Sequence, residues 1–109
     1  MDMAGSERTR APISARQEVS NISRSLVTFK KVCAALDSRD ATPRFVPYRD
    51  SKLTHFFKQS LGGNNKTILI ANILPVTSLF EETCNTLRIA KTCKYIKNKP
   101  KSNNTVLLD

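Results

Sequence analysis

The sequence predicts an α/β fold, helix-rich with one central buried strand, forming the end of a larger domain. Three observations lead there. Apolar residues recur at steps of three and four in three separate segments, the mark of amphipathic helices. One run, residues 67–74, is β-rich and almost continuously apolar, as a strand covered on both faces would be. That run has no visible partner strand within the chain, although a buried strand needs neighbours for its N–H and C=O groups.

Met1 to Arg8 reads as a loop around Gly5 and Ser6, and Thr9 to Ser20, with Pro12 and no periodicity, as a loop running into a helix start. The first helix follows. Ile22, Leu26, Phe29, Cys33 and Leu36 form one stripe at steps of four, three, four and three, with Arg24, Lys30 and Lys31 away from it. Polar residues after Asp37 and then Pro43 should end it. Arg44 to Tyr48 is extended, because its prolines bias the preceding residues away from helix. Asp50 or Ser51 then caps a second helix carrying Leu53, Phe56, Phe57 and Leu61, closed by Gly62-Gly63. Thr67 to Leu74 is the strand, ended by Pro75. Ser78 and Glu81 stand three apart as a capping box for a third helix, whose stripe is Cys84, Leu87, Ala90, Cys93 and Ile96. Pro100 ends that helix and opens a polar tail.

Composition narrows the function. The 109 residues carry 18 Lys and Arg against 9 Asp and Glu, a net charge of +9, which favours an acidic partner without choosing one. No apolar run approaches the ~20 residues of a membrane helix, and the N-terminus has no secretory core, so neither a membrane nor secretion is expected. Three cysteines without C-x-x-C spacing imply neither a disulfide framework nor a zinc site, and no metal ligands are expected. On one helix Cys84 and Cys93 would lie about 13.5 Å apart, beyond disulfide reach. Buried thiols in a reducing compartment are the expectation. A nucleic-acid partner is disfavoured, since two Tyr and scattered Phe at core spacing make no stacking pattern.

The first chemistry-bearing segment is Asp2-Met3-Ala4-Gly5-Ser6-Glu7-Arg8. In D-x-x-G followed by an acid, the Asp can reach Mg²⁺ through water and the Gly lets a backbone N–H approach a phosphate. The Glu can relay a proton from an attacking water. Further blocks follow in order: Asn21-Ile22-Ser23-Arg24-Ser25-Leu26, Val46-Pro47-Tyr48-Arg49-Asp50-Ser51-Lys52-Leu53-Thr54 and Ser60-Leu61-Gly62-Gly63-Asn64-Asn65-Lys66-Thr67. Then come Glu81-Glu82-Thr83, Thr86-Leu87-Arg88 and Ile96-Lys97-Asn98-Lys99-Pro100. This series closely resembles the C-terminal part of the kinesin motor domain, from switch II to the start of the neck linker, over roughly residues 2–101.

The resemblance implies a C-terminal fragment of a kinesin-type P-loop NTPase, with residues 1–98 in the motor domain and 99–109 a neck-linker-like polar tail. It makes Asp2, Gly5 and Glu7 the switch II residues that sense the γ-phosphate, with Glu7 the catalytic candidate. It lays the first helix, with Arg24, Lys30 and Lys31, on the microtubule, and adds Arg49 and Lys52 as basic contacts to tubulin. Ile96, Lys97 and Asn98 begin the neck linker. The implied partners are microtubules and the remainder of a motor domain; the implied location is the cytoplasm, on the microtubule cytoskeleton. ATP and Mg²⁺ belong to the intact family domain. The 109 residues contain no G-x-x-x-x-G-K-[ST] loop and no switch I motif, so neither tight nucleotide binding nor hydrolysis is expected of them alone.

Departures from the family pattern cluster in one place. The stretch between Arg8 and Asn21 is shorter than in kinesins and has Pro12 where a glycine is usual, and Ser23 stands where Asn is usual. Both fall where nucleotide state reaches the track-binding helix. Two readings therefore stay open, a portion of an ATP-driven motor and a non-catalytic basic microtubule-binding module. Lys91, Lys94, Lys97 and Lys99 read as a solvated face, and His55 as a solvated side chain.

Overall fold

The computed structural model describes residues 1–5 and 12–102. Three α-helices dominate: α1, Arg16–Ala35; α2, Lys52–Phe56; and α3, Phe80–Lys94. Each is preceded by a short 3-10 turn, Ile13–Ala15, Tyr48–Asp50 and Thr77–Leu79 respectively. The first helix packs against both others and against the Tyr48–Asp50 turn, so it is the spine of the molecule.

Helix α1 starts earlier than its apolar stripe. The turn at Ile13–Ala15 closes with Ala15 N–H donating to the Pro12 carbonyl at 2.9 Å, and the helix runs on without a side-chain cap. Glu18 lies in its first turn, where the helix dipole favours negative charge. Only the C-terminal half of the stripe is used. Phe29, Val32 and Cys33 are buried and Leu36 packs on them, whereas Ile22 is 43% exposed. The core is small, with Phe29, Val32, Cys33 and Leu61 at its centre and Met3, Val46, Tyr48, Phe57, Ile89, Cys93 and Ile96 around them.

Ser51 is the cap of α2, its Oγ accepting from the Thr54 N–H at 3.1 Å. The helix proper is only five residues long; after Phe56 the backbone continues as tighter turns, with Ser60 N–H reaching the Phe57 carbonyl at 2.9 Å. Phe57 and Leu61, four apart, still face the core, and Leu53 is half-buried. Phe56, off that stripe, is 75% exposed and meets Phe57 edge-on at 5.6 Å. Gly62 ends the segment at φ +82, and a Cβ there would meet Leu36 Cδ2 at 2.8 Å, so only glycine fits.

Two expectations about α3 are corrected. The Ser78–Glu81 box does not form: Ser78 lies inside the 3-10 turn, and α3 begins at Phe80 with Leu79 as N-cap and no side-chain cap bond. The apolar stripe also differs. A strict step of three falls back about 60° per step, so Cys84, Leu87 and Ala90 sweep round the helix and, of the expected stripe, Cys93 and Ile96 pack on the core. Leu87 is 50% exposed, and the residues on the core are Ile89, Cys93 and Ile96 at steps of four and three. The helix stops at Lys94, well before Pro100. There Ile96 pairs with Asp37 in an isolated antiparallel bridge, and Ser38 N–H donates to the Tyr95 carbonyl at 3.1 Å.

The central buried strand is the largest correction. Residues 67–74 carry no ladder; among the described residues the Asp37–Ile96 bridge is the one β-pairing. The run is open to solvent, with Ile68 89% and Ile70 77% exposed. The physical reason is that a strand needs edges to pair with, and none of the described segments offers one. The cost shows in the surface: the chain exposes 9160 Å², against roughly 6,100 Å² for a compact monomer of 12.2 kDa. Its radius of gyration is 16.7 Å, where a compact chain of this length has about 13 Å.

Candidate functional site

The basic surface is built on α1 and the corner that leads into α2. Arg24, Lys30 and Lys31 on α1, and Arg49 and Lys52 at the corner, are all exposed. The two ion pairs among the described residues use other cations. Arg39 binds Asp37 through Nη2 at 2.6 Å, and Arg44 binds Asp40. Among the described residues the five candidate cations enter no ion pair, and all five side chains are exposed.

They do not form one row. Arg24 and Lys31 are seven residues apart, two turns, and share a helix face. Lys30 lies about 120° round the axis from Arg24, on the flank toward α3. There it lines a small cleft with Cys33, Ala34, Arg88, Ile89 and Thr92. Two cations of α1 therefore face one way and the third faces the groove between α1 and α3.

The corner carrying Arg49 and Lys52 is held by a buried hydroxyl. Thr54 is fully buried, and its Oγ1 donates to the Tyr48 carbonyl at 2.6 Å while lying 2.9 Å from Ser51 Oγ. Tyr48 in turn donates its phenol to the Leu61 carbonyl at 2.5 Å, across the turns that follow α2. Burial pushes the Tyr48 hydroxyl's pKa up, which keeps it a donor. Lys58 Nζ stands 5.8 Å from the centre of the Tyr48 ring. Hydrogen bonds thus tie the 3-10 turn, α2 and the Gly62 turn to one another beside α1. The sequence offered Asp50 or Ser51 as the cap and the structure uses Ser51, while the reach of Thr54 back to Tyr48 had no signal in the sequence.

Of the neck-linker candidates, Ile96 packs on the core, Lys97 is exposed and Asn98 is a hub. Asn98 Oδ1 accepts from Gly62 N–H at 2.7 Å. Its Nδ2 lies 2.9 Å from the Ser60 carbonyl, 2.8 Å from the Asn65 carbonyl and 3.0 Å from Thr67 Oγ1. Beyond it Lys99 N–H donates to the Gly63 carbonyl at 2.9 Å, and Lys101 N–H donates to Asn64 Oδ1. One side chain therefore stitches the segment after α3 to the glycine turn. A planar amide, donor and acceptor at once, suits two carbonyls, one hydroxyl and one N–H.

The phosphate-sensing candidates are placed only in part. Asp2 and Gly5 are exposed, with Met3 between them resting on the core; Glu7 lies outside the described residues. Among the described residues no cluster of His, Cys, Asp and Glu could hold a metal ion, and no helix is long and apolar enough to cross a membrane. With one exposed carboxylate at Asp2 and no phosphate loop in the sequence, the residues present do not fit an ATP·Mg²⁺ site by themselves.

Comparison with known proteins follows the same outline. The kinesin motor domain family model matches residues 1–96. The chromosome-associated kinesin KIF4 of Gallus gallus is 48% identical over 103 residues, covering 92% of this chain and 8% of that protein. Kinesin-related protein 8 of Dictyostelium discoideum is 48% identical over 106 residues, 92% of this chain and 6% of that protein. Among solved structures, a KIF14 dimer in a two-heads-bound state, with AMP-PNP and in complex with a microtubule, superposes with a TM-score of 0.85. It is 42% identical, over 92% of this chain and 28% of that one. The chain spans less than a tenth of the length of the two full-length relatives.

Proposed function

The chain belongs to the kinesin motor domain family, and from that premise we propose that it is the track-facing portion of an ATP-driven microtubule motor. Helix α1 and the Tyr48–Phe56 corner form the contact with tubulin, through Arg24, Lys31, Arg49 and Lys52, with Lys30 on the α3 flank. The observation that carries this reading is the set of exposed cations that enter no ion pair among the described residues, on a backbone that superposes on a microtubule-bound kinesin. Opposite charges on the track would steer the encounter and lose strength with salt.

Asp2, Gly5 and Glu7 act as the γ-phosphate sensor, Glu7 as the residue that relays a proton, and Ile96 to Asn98 as the start of the neck linker. These roles need a phosphate loop and switch I, supplied by the remainder of a motor domain; residues 1–98 are the motor portion and 99–109 the tail. The exposed apolar run 67–74 supports such a partner, since a neighbouring strand on each edge would pair its backbone and cover Ile68 and Ile70. The chain works in the cytoplasm on the microtubule cytoskeleton. By itself it binds the track without hydrolysing ATP.

Co-sedimentation with taxane-stabilised microtubules over a range of salt tests the reading, with phosphate release measured in the same tubes. The expected outcome is pelleting that weakens as salt rises, that is reduced several-fold in Arg49→Ala/Lys52→Ala, and that is accompanied by no phosphate release above microtubules alone. A double variant that pellets like the parent would remove the corner from the contact, and stimulated turnover would overturn the non-catalytic assignment.

A further inference from the structure

We propose that Cys33 and Cys93 are a redox site, a thiol pair that a peroxide closes into an intramolecular disulfide joining α1 to α3. The fold brings together two cysteines 60 residues apart, with Sγ atoms 3.4 Å from each other and within hydrogen-bonding reach. A disulfide needs about 2.05 Å, so side-chain rotation of little more than 1 Å completes the bond, between two helices already in contact. Both cysteines are free thiols, Cys33 buried and Cys93 half-buried. Access exists on each side. Cys93 is partly exposed, and Cys33 lines the open cleft of about 160 Å³ that it shares with Lys30 and Arg88.

The two thiols are unequal. The hydrogen bond between the two thiols, followed by burial, holds the Cys33 thiol protonated far above the ordinary range, and the same bond lowers Cys93. Cys93 is therefore the thiolate that attacks first. Its sulfur takes one oxygen from the peroxide, the O–O bond breaks, and the other oxygen leaves as hydroxide, which a proton converts to water. Cys33 then attacks the resulting sulfenic sulfur, gives up its proton and expels the second water. Two thiols and one hydrogen peroxide become one disulfide and two waters.

Cys84 provides an internal control. It is nine residues from Cys93 on the same helix, about 13.5 Å along the axis, and cannot pair with it while α3 is formed. In an unfolded chain the preference reverses, because closing a 9-residue loop is favoured over a 60-residue loop by roughly 17-fold. The product therefore reports the fold.

The experiment treats the full chain with a small excess of hydrogen peroxide, in native buffer and in 8 M urea, then alkylates and maps cysteines by non-reducing peptide mass spectrometry. The native sample should lose two hydrogens, carry a Cys33–Cys93 link with Cys84 alkylated, and return to three free thiols with dithiothreitol. In urea, Cys84–Cys93 should dominate. Cys84→Ser should leave the native product unchanged and Cys93→Ser should abolish it. A native sample in which Cys33 and Cys93 both remain alkylatable, or whose main product is Cys84–Cys93, would overturn the proposal.

Discussion

Thr54→Val would remove one hydroxyl from the most enclosed polar position in the molecule while keeping the side chain's shape. Thr54 is fully buried, so water cannot take the place of the bond that its Oγ1 donates to the Tyr48 carbonyl at 2.6 Å. Losing a net hydrogen bond costs about 1 kcal/mol, and leaving the part-buried Tyr48 carbonyl without its partner adds up to about as much again, giving about 2 kcal/mol in all. The Thr54 N–H bond to Ser51 Oγ survives the change, so the cap itself is intact. Ser51→Ala, by contrast, removes the cap and should cost about 1 kcal/mol. Because Ser51 Oγ and Thr54 Oγ1 are 2.9 Å apart, the double variant should cost less than the two single losses added. Urea unfolding followed by far-ultraviolet circular dichroism is the assay. With an m-value of about 1–2 kcal/mol/M, the Thr54→Val midpoint should fall by about 1–2 M. The same variant should weaken microtubule pelleting, since the corner bearing Arg49 and Lys52 is released from Tyr48. A shift within about 0.5 kcal/mol of the parent, the range of an ordinary surface change, would refute the idea that this hydroxyl ties the corner.

Asn98→Ala should speed hydrogen exchange at the Gly62 amide by about fivefold or more, since its acceptor at 2.7 Å is lost and a bond of this kind is worth about 1–3 kcal/mol. Exchange measured by NMR that leaves Gly62 as slow as in the parent would remove Asn98 from the hub. The Asp37 carboxyl, bound by the Arg39 side chain and backbone N–H, is pulled down from 3.8 to about 2. A depressed folded pKa means that this pair stabilises the fold fully above the unfolded value near 3.8, and that its contribution disappears as pH falls through about 2. An NMR titration of Asp37 should therefore have its midpoint near 2 in the parent, and Arg39→Ala should move it upward. An unchanged midpoint would mean that the pair does not form.

Local chemistry was readable wherever a rule acts over a few residues. Ser51 as a cap, Gly62 as the stop after α2 and the Phe29–Cys33–Leu36 stripe all depend on neighbours within one or two turns, and all three stand in the structure. The failures share a cause. Ser78–Glu81 has the spacing of a capping box, but the chain enters α3 through a 3-10 turn that takes up Ser78 and leaves Leu79 as the N-cap. The run 67–74 has the composition of a buried strand, yet burial is a property of what lies beside it, and nothing described here does. Leu87 matched a step-of-three pattern that a 3.6-residue helix cannot keep on one face.

By itself the sequence determined the family, the helical segments, the turns between them and the excess of positive charge, because motifs, caps and periodicity are written in adjacent residues. Tertiary structure alone decided that Thr54 reaches Tyr48, that Asn98 stitches the last segment to the Gly62 turn, and that Lys30 parts from Arg24 and Lys31 toward α3. It also decided that Cys33 meets Cys93 across 60 residues. Such contacts follow from how helices pack, and no spacing along the chain encodes which side chains will meet when they do.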